Sequence, residues 1–189
     1  MALLLCACGG PPRLSLAARD GEGWLLSVTA VRTGLLAVGG VPGTAGSPGS
    51  GAVTLLDFLG PVVQKRSPSP APGMLWWAHS PDGQSAWLVG ENGAVLRYQD
   101  GAMTVVPAET TATLYGVYAA SDDDVWAVGG DDGQPGVILR GGRGGLKKDS
   151  SAPTTGVLFK IWGTRDGVLT TVGAGGVVLR RDPGGAWRS

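Results

Sequence analysis

Four times along this 189-residue chain a Val-Gly pair closes one short apolar run, and a second apolar run follows: Val38-Gly39, Val89-Gly90, Val128-Gly129 and Val172-Gly173, at spacings of 51, 39 and 44 residues. Leu75-Trp76, Leu114-Tyr115 and Leu158-Phe159 stand fourteen residues before the last three pairs, and Leu25 stands thirteen before the first. The second runs, Gly51 to Leu55, Gly93 to Arg97, Gly136 to Arg140 and Gly176 to Arg180, share a Gly-x-apolar pattern. A weaker apolar stretch follows, such as Met103 to Val106 or Leu146 to Lys148. Each unit therefore reads as strand a, turn, strand b, hairpin, strand c, turn, strand d. Self-similarity at this period, with four short strands per unit, predicts an all-β fold of the β-propeller kind: four four-stranded antiparallel blade repeats. The units are expected at about 24–70, 74–110, 114–153 and 158–189, and residues 13–189 as a whole form the repeat region.

The turn chemistry agrees with these boundaries. Glu91-Asn92-Gly93 supplies the Asn-Gly dipeptide that accepts the positive φ angles of a tight type I′ hairpin. Ser80-Pro81-Asp82-Gly83 and Ser121-Asp122-Asp123-Asp124 join strands a and b, where Ser and Asp side chains cap backbone N–H groups. The acidic cluster is read as turn capping and not as a calcium site, which needs about six or more convergent oxygens. The connection between strands b and c is long in the first unit (residues 40–50) and only two residues in the second and fourth. Insertions in one repeated loop mark a face that often binds a partner.

Composition narrows the function classes. With 34 Gly, 13 Pro and 43% hydrophobic residues the chain suits short strands and tight turns around a packed interior. Fifteen basic and fifteen acidic side chains cancel and no basic block exceeds Lys147-Lys148, so nucleic acid is not the partner this charge pattern suits. No apolar run approaches the roughly 20 residues needed to span a bilayer. The two cysteines, Cys6 and Cys8, both lie at the N-terminus, leaving the repeats without a disulfide or a Cys-based metal site.

Residues 3–10, Leu-Leu-Leu-Cys-Ala-Cys-Gly-Gly, resemble the end of a bacterial lipoprotein signal. The resemblance implies that Cys8 is lipidated and that residues 1–12 are a signal remnant and tether. No Lys or Arg precedes the apolar stretch, which is shorter than the usual run of about 7–15 residues. The address implied is the cell envelope: an outer-membrane-anchored lipoprotein, or a periplasmic or extracellular protein, attached to the membrane through Cys8. Trp87-Leu-Val-Gly90 and Trp126-Ala-Val-Gly129, each followed by Gly-x-(Val/Ile)-Leu-Arg, resemble the repeats of secreted bacterial propellers related to the photosystem II assembly factor group. That likeness covers roughly residues 24 to 189 and implies fold far more than function. A strand d is expected at Arg13 to Ala17, and the fourth unit stops near its own strand d, at Ala186 to Ser189. The chain is therefore expected to be part of a larger propeller, with closure of a small ring by the N-terminal strand as the alternative.

Strand a lines the central channel of a propeller, so His79, Tyr118 and Trp162, equivalent positions at its end, are the candidate binding residues at a channel mouth, where aromatic rings stack a sugar or aromatic group. Packing between blades is the competing role. Arg97, Arg140 and Arg180 share one position at the end of strand c and are the candidate rim for an anionic partner; pairing with turn aspartates is the alternative. Leu75, Leu114 and Leu158, with Trp76, Tyr115 and Phe159, are expected in the core, and Trp87 and Trp126 between blades. Nothing in the sequence assigns a catalytic residue, cofactor or metal. The leading function is a non-catalytic envelope propeller that binds a protein or glycan or scaffolds an assembly. The competing class is a sialidase-like or other glycoside-processing enzyme with catalytic residues outside this stretch, suggested by the resemblance of Ser80 to Trp87 to the Asp-box of such propellers. A weaker option resembles the propeller lipoproteins of outer-membrane protein assembly, through Gly51 to Asp57. A pair of carboxylates about 5–10 Å apart at the channel mouth would mark the enzyme; an acid-poor aromatic mouth marks binding.

Overall fold

The computed structural model describes residues 23–32, 34–41, 49–57, 63–66, 73–153 and 155–189, with the side chains of 56, 57 and 63–66 left aside. Cys8, the strand expected at 13–17 and most of the 40–50 connection lie outside these residues. The described chain is all-β, in four antiparallel sheets that each keep chain order. The first contains β1 (Trp24–Val31), β2 (Gly34–Val41), β3 (Ser50–Asp57) and β4 (Val63–Arg66). The second contains β5 (Leu75–His79), β6 (Ser85–Gly90), β7 (Val95–Gln99) and β8 (Ala102–Val105). The third contains β9 (Leu114–Ser121), β10 (Asp124–Gly129), β11 (Val137–Gly142) and β12 (Gly145–Lys148). The fourth contains β13 (Leu158–Gly163), β14 (Leu169–Gly173), β15 (Val178–Arg181) and a two-residue β16 (Trp187–Arg188) that pairs with Arg180 and Arg181.

Asn92 (φ 57°) and Gly93 (φ 67°) both adopt the left-handed region between β6 and β7, and the Ala94 N–H closes the turn on the Glu91 carbonyl at 3.1 Å. Gly175 and Gly176 repeat that turn between β14 and β15. Ser80 Oγ accepts from the Gly83 N–H at 2.9 Å, and Asp82 Oδ1 accepts from the Gln84 and Ser85 N–H groups at 2.8 and 3.0 Å, as a capped turn requires.

Every Val-Gly pair has one physical cause. In each sheet the first strand carries a β-bulge directly after its leucine: pairing jumps from Leu25 to Ser27, Leu75 to Trp77, Leu114 to Gly116 and Leu158 to Lys160. The Gly of each Val-Gly pair faces that leucine across the ladder. A Cβ added at Gly39, Gly90, Gly129 or Gly173 would fall under 3.0 Å from the carbonyl oxygen of the residue before the leucine. Only glycine fits so close an approach of two backbones. The bulge inserts an extra residue, which is Trp76, Tyr115 or Phe159 in the last three sheets, and turns it away from the leucine.

Three hydrophobic cores hold the sheets together, each between successive units. Leu36, Val38, Val53 and Leu55 of the first sheet meet Leu75, Leu88, Leu96 and Tyr98 of the second. Trp87, Val89 and Val95 of the second meet Leu114, Val117, Val125 and Leu139 of the third. Trp126, Val128 and Ile138 of the third meet Leu158, Ile161, Leu179 and Trp187 of the fourth. Trp87 and Trp126 thus pack between sheets, as expected. A strandlike segment after β8 also reaches forward: Glu109 N–H donates to the Leu146 carbonyl at 3.0 Å and Leu146 N–H to the Pro107 carbonyl at 2.8 Å, covering the outer edge of the third sheet.

The outermost faces stay uncovered among the described residues. Val172 and Val178 of the fourth sheet are 40% and 52% exposed, whereas their equivalents Val89 and Val95 are at 0% and 1%. Trp24, Leu25 and Val28 of the first sheet are also exposed.

Candidate functional site

The first strands of the four sheets lie side by side. Ser27 Oγ accepts from the Ala78 N–H at 3.2 Å, joining β1 to β5. His79 Nδ1 accepts from the Ala119 N–H at 3.1 Å, joining β5 to β9. Lys160 Nζ donates to the Tyr115 carbonyl at 3.0 Å, joining β13 to β9. These four first strands thereby form one wall, and its residues come together in three tiers.

The bulge residues form one tier. Trp76 meets Tyr115 edge-on at 5.1 Å between ring centroids, and Tyr115 meets Phe159 likewise at 5.6 Å. The sequence placed these rings in the core beside their leucines, and the structure corrects this. Leu75, Leu114 and Leu158 are buried, but Trp76 and Tyr115 are only half-buried and Phe159 is 42% exposed. The reason is the bulge, which leaves the leucine pointing into the core and turns the extra residue out of it.

At the far end of the strands the three positions read from the sequence as one column do converge. His79 lies 5.0 Å from Tyr118 and 5.9 Å from Trp162, and Tyr118 lies 6.0 Å from Trp162. Trp162 is 61% exposed. A Cβ at Gly163 would overlap the Tyr118 ring, so the bare backbone there gives Tyr118 its seat. Burial lowers the His79 pKa below its ordinary value, and its Nδ1 accepts a backbone N–H. The imidazole is therefore the neutral Nε2–H tautomer, with one N–H left to donate. Tyr118 is held protonated, its pKa raised by burial and then by the Asp124 charge.

Between the two aromatic tiers lies a charge that sequence reasoning missed. Lys160 reaches across the third sheet to place its ammonium 3.8 Å from the centroid of the Trp77 ring, on the second. Gly116 is the equivalent residue of the intervening strand, and a Cβ there would press on the Lys160 backbone at 3.0 Å. The equivalent positions are Ser27, Trp77, Gly116 and Lys160, which share no chemistry, so no column was visible in the sequence.

The three rim arginines do not form a shared cationic patch. Arg97 is bound by Asp122, which also accepts from Ser85 Oγ at 3.0 Å and Trp87 Nε1 at 3.0 Å. Arg140 pairs with Asp124 at 3.2 Å and lies over the Trp126 ring at 4.8 Å. Arg180 pairs with Asp182 at 3.2 Å. The acidic cluster expected to cap its own turn mostly does something else. Asp122 ties the third sheet to the second, Asp124 holds Arg140 and Trp126 Nε1, and Asp123 holds Arg143. No group of three or more His, Cys, Asp or Glu converges as a metal site among the described residues. Strands β1, β5, β9 and β13 carry no Asp or Glu.

In comparisons with known proteins, no family model and no curated protein matches this chain.

Asp122 makes the inter-sheet link pH-dependent. Hydrogen bonding from Arg97 above all, helped by Trp87 and Ser85 and opposed by burial, lowers its pKa below the ordinary 3.8. A carboxyl depressed in the folded state contributes stability in full above its unfolded pKa and loses it as pH falls through the folded one. Asp122→Asn leaves the Arg97 side chain, 13% exposed, without its counter-charge, at a cost of about 3 kcal/mol near neutral pH. Thermal unfolding followed from neutral pH to below about pH 4 will show the wild type losing this advantage while the variant curve stays flatter. Parallel acid dependence in the two proteins would show that Asp122 does not carry the link.

Proposed function

We propose that this chain is a propeller-type cell-envelope protein, lipid-anchored through Cys8, that binds a protein or glycan and does not transform it. Support for the propeller arrangement comes from four meander sheets that pack face to face in chain order with their first strands together, and from the resemblance of the Trp-x-Val-Gly repeats to bacterial secreted propellers. The envelope address rests on the lipoprotein-like residues 3–10.

The observation that carries the binding role is the aromatic cluster of His79, Tyr118 and Trp162. Three consecutive sheets each contribute one ring, the rings lie within 6.0 Å of one another, and the outermost is largely exposed. Exposed rings of this size supply stacking area at low entropic cost, and the neutral His79 and the Tyr118 hydroxyl add oriented polar contacts. Hydrolysis by a carboxylate pair has no support on the axis, since its four strands hold no acid and the nearby Asp124 is engaged by Arg140 and Trp126.

Titrating the purified protein with defined oligosaccharides, read by tryptophan fluorescence and by product analysis, tests this role. Trp162→Ala is expected to weaken binding about tenfold, equivalent to ~1.4 kcal/mol, with an unchanged circular dichroism spectrum. Undiminished binding by the variant, or cleaved sugar in the wild-type reaction, would contradict it and, in the second case, favour the glycoside-processing alternative. The anchor has its own test in cells: Cys8→Ser is expected to abolish palmitate labelling and release the protein from the membrane fraction, and retention of label would exclude Cys8 as the site.

A further inference from the structure

We propose that Lys160 makes the axial cluster a site for acidic glycans, the ammonium receiving a uronic-acid carboxylate while the sugar ring stacks on the neighbouring aromatic rings. The proposal rests on the binding role given above and names the ligand class for that same site.

Lysine is seldom taken out of water unless an anion accompanies it. Lys160 is half-buried, and among the described residues it has no carboxylate partner. Burial is the one cause that moves its pKa, downward from the ordinary 10.5, and no acid contributes. Its three N–H donors have one acceptor, the Tyr115 carbonyl, and one ring face, Trp77. Donor capacity therefore remains in a place where water is partly excluded. A second donor supports this: Trp76 Nε1 is buried and, among the described residues, has no hydrogen-bond partner. Trp76 precedes the ring that holds Lys160, and it stacks on Tyr115, whose carbonyl holds Lys160. One cation with a single acceptor and one buried indole N–H without any, in one stretch of an acid-free wall, call for an acceptor brought by a ligand.

The surroundings favour a sugar as the carrier of that acceptor. Phe159 immediately precedes Lys160, Trp162 follows two residues later, and both rings are exposed, at 42% and 61%. A pyranose can stack on an exposed aromatic ring and carries its equatorial carboxylate at its edge, and Lys160 lies between Phe159 and Trp162 along the same strand. A cation paired with a ligand carboxylate in partly desolvated surroundings gains more than it would at an open surface.

Tetragalacturonate and its methyl ester share the same rings and differ in charge, so the pair isolates the role of Lys160. Calorimetric or fluorescence titration is expected to show the acid bound at least tenfold tighter than the ester, with the difference shrinking as salt rises. Lys160→Gln is expected to bring the acid down to the ester's affinity without changing the ester, and Lys160→Arg to keep part of the preference. Equal wild-type affinity for acid and ester would overturn the charge assignment while the binding role stands. Binding of neither would overturn the acidic-glycan class, and the Trp162→Ala titrations judge the binding role separately. A tetraglutamate peptide bound more tightly than tetragalacturonate would overturn the glycan class. Should Lys160→Gln fail to fold, the acid-to-ester ratio of the wild type and its salt dependence decide the matter alone.

Discussion

The close approach of two backbones, glycine of one strand against the bulged start of its neighbour, is the constraint on which the rest of this fold depends. It recurs at Gly39, Gly90, Gly129 and Gly173, and at each site a side chain would collide with main chain that cannot yield. The bulge that accompanies it splits a Leu-aromatic dipeptide between two destinations. Leucine goes to the core between sheets, where Leu75, Leu114 and Leu158 are fully buried, and the aromatic residue joins its neighbours' rings along the first strands. One local geometry, repeated four times, thus sets the close strand approach in every sheet and, in the last three, both the packing between successive sheets and the wall of rings along their first strands.

Between the sheets the energetic weight is divided between apolar burial and a few well-placed polar ties. Each core draws on both neighbours, so no sheet has a complete interior of its own. The tie through Asp122 is the most developed. A turn on the third sheet accepts from Ser85, Trp87 and Arg97 of the second, satisfying an indole and a guanidinium that packing would otherwise strand. Asp149 performs a similar service for Trp187 Nε1 of the fourth sheet at 3.0 Å. The exposed valines of the fourth sheet, chemically the same as the buried valines of the second, show that this face has the character of an inter-sheet surface without a neighbour among the described residues.

Much of the architecture was legible in the sequence, because a repeat states the same strand order four times and averages out local ambiguity. The strands, the Asn92-Gly93 turn and the convergence of His79, Tyr118 and Trp162 all follow from register within that repeat. What escaped the sequence lies where register is broken or where the repeat is silent. The bulge shifts Phe159 from the expected core to an exposed position beside Tyr115. Lys160 meets Trp77 across a glycine, a combination that no single unit displays. The aspartates of residues 122–124 were read as partners of their own turn, yet Asp122 is filled by side chains of the neighbouring sheet, Asp123 by Arg143 of the β11–β12 turn, and Asp124 by Arg140 and Trp126. Arginines aligned as one rim likewise end as separate ion pairs.

From these pieces comes a wall of first strands that carry no Asp or Glu, with rings at both ends and one cation between them. Its geometry depends on the backbone approach at the Val-Gly pairs, so the most direct test is to place a methyl group there. Gly129→Ala should be compared by thermal and denaturant unfolding with Gly144→Ala, where a Cβ meets nothing within 4 Å. The account predicts a loss of about 3 kcal/mol or more for Gly129→Ala and a change within about 0.5 kcal/mol for Gly144→Ala. Equal and small effects at the two positions would contradict it, because the repeated glycine would then not be what sets the bulge and the axial rings.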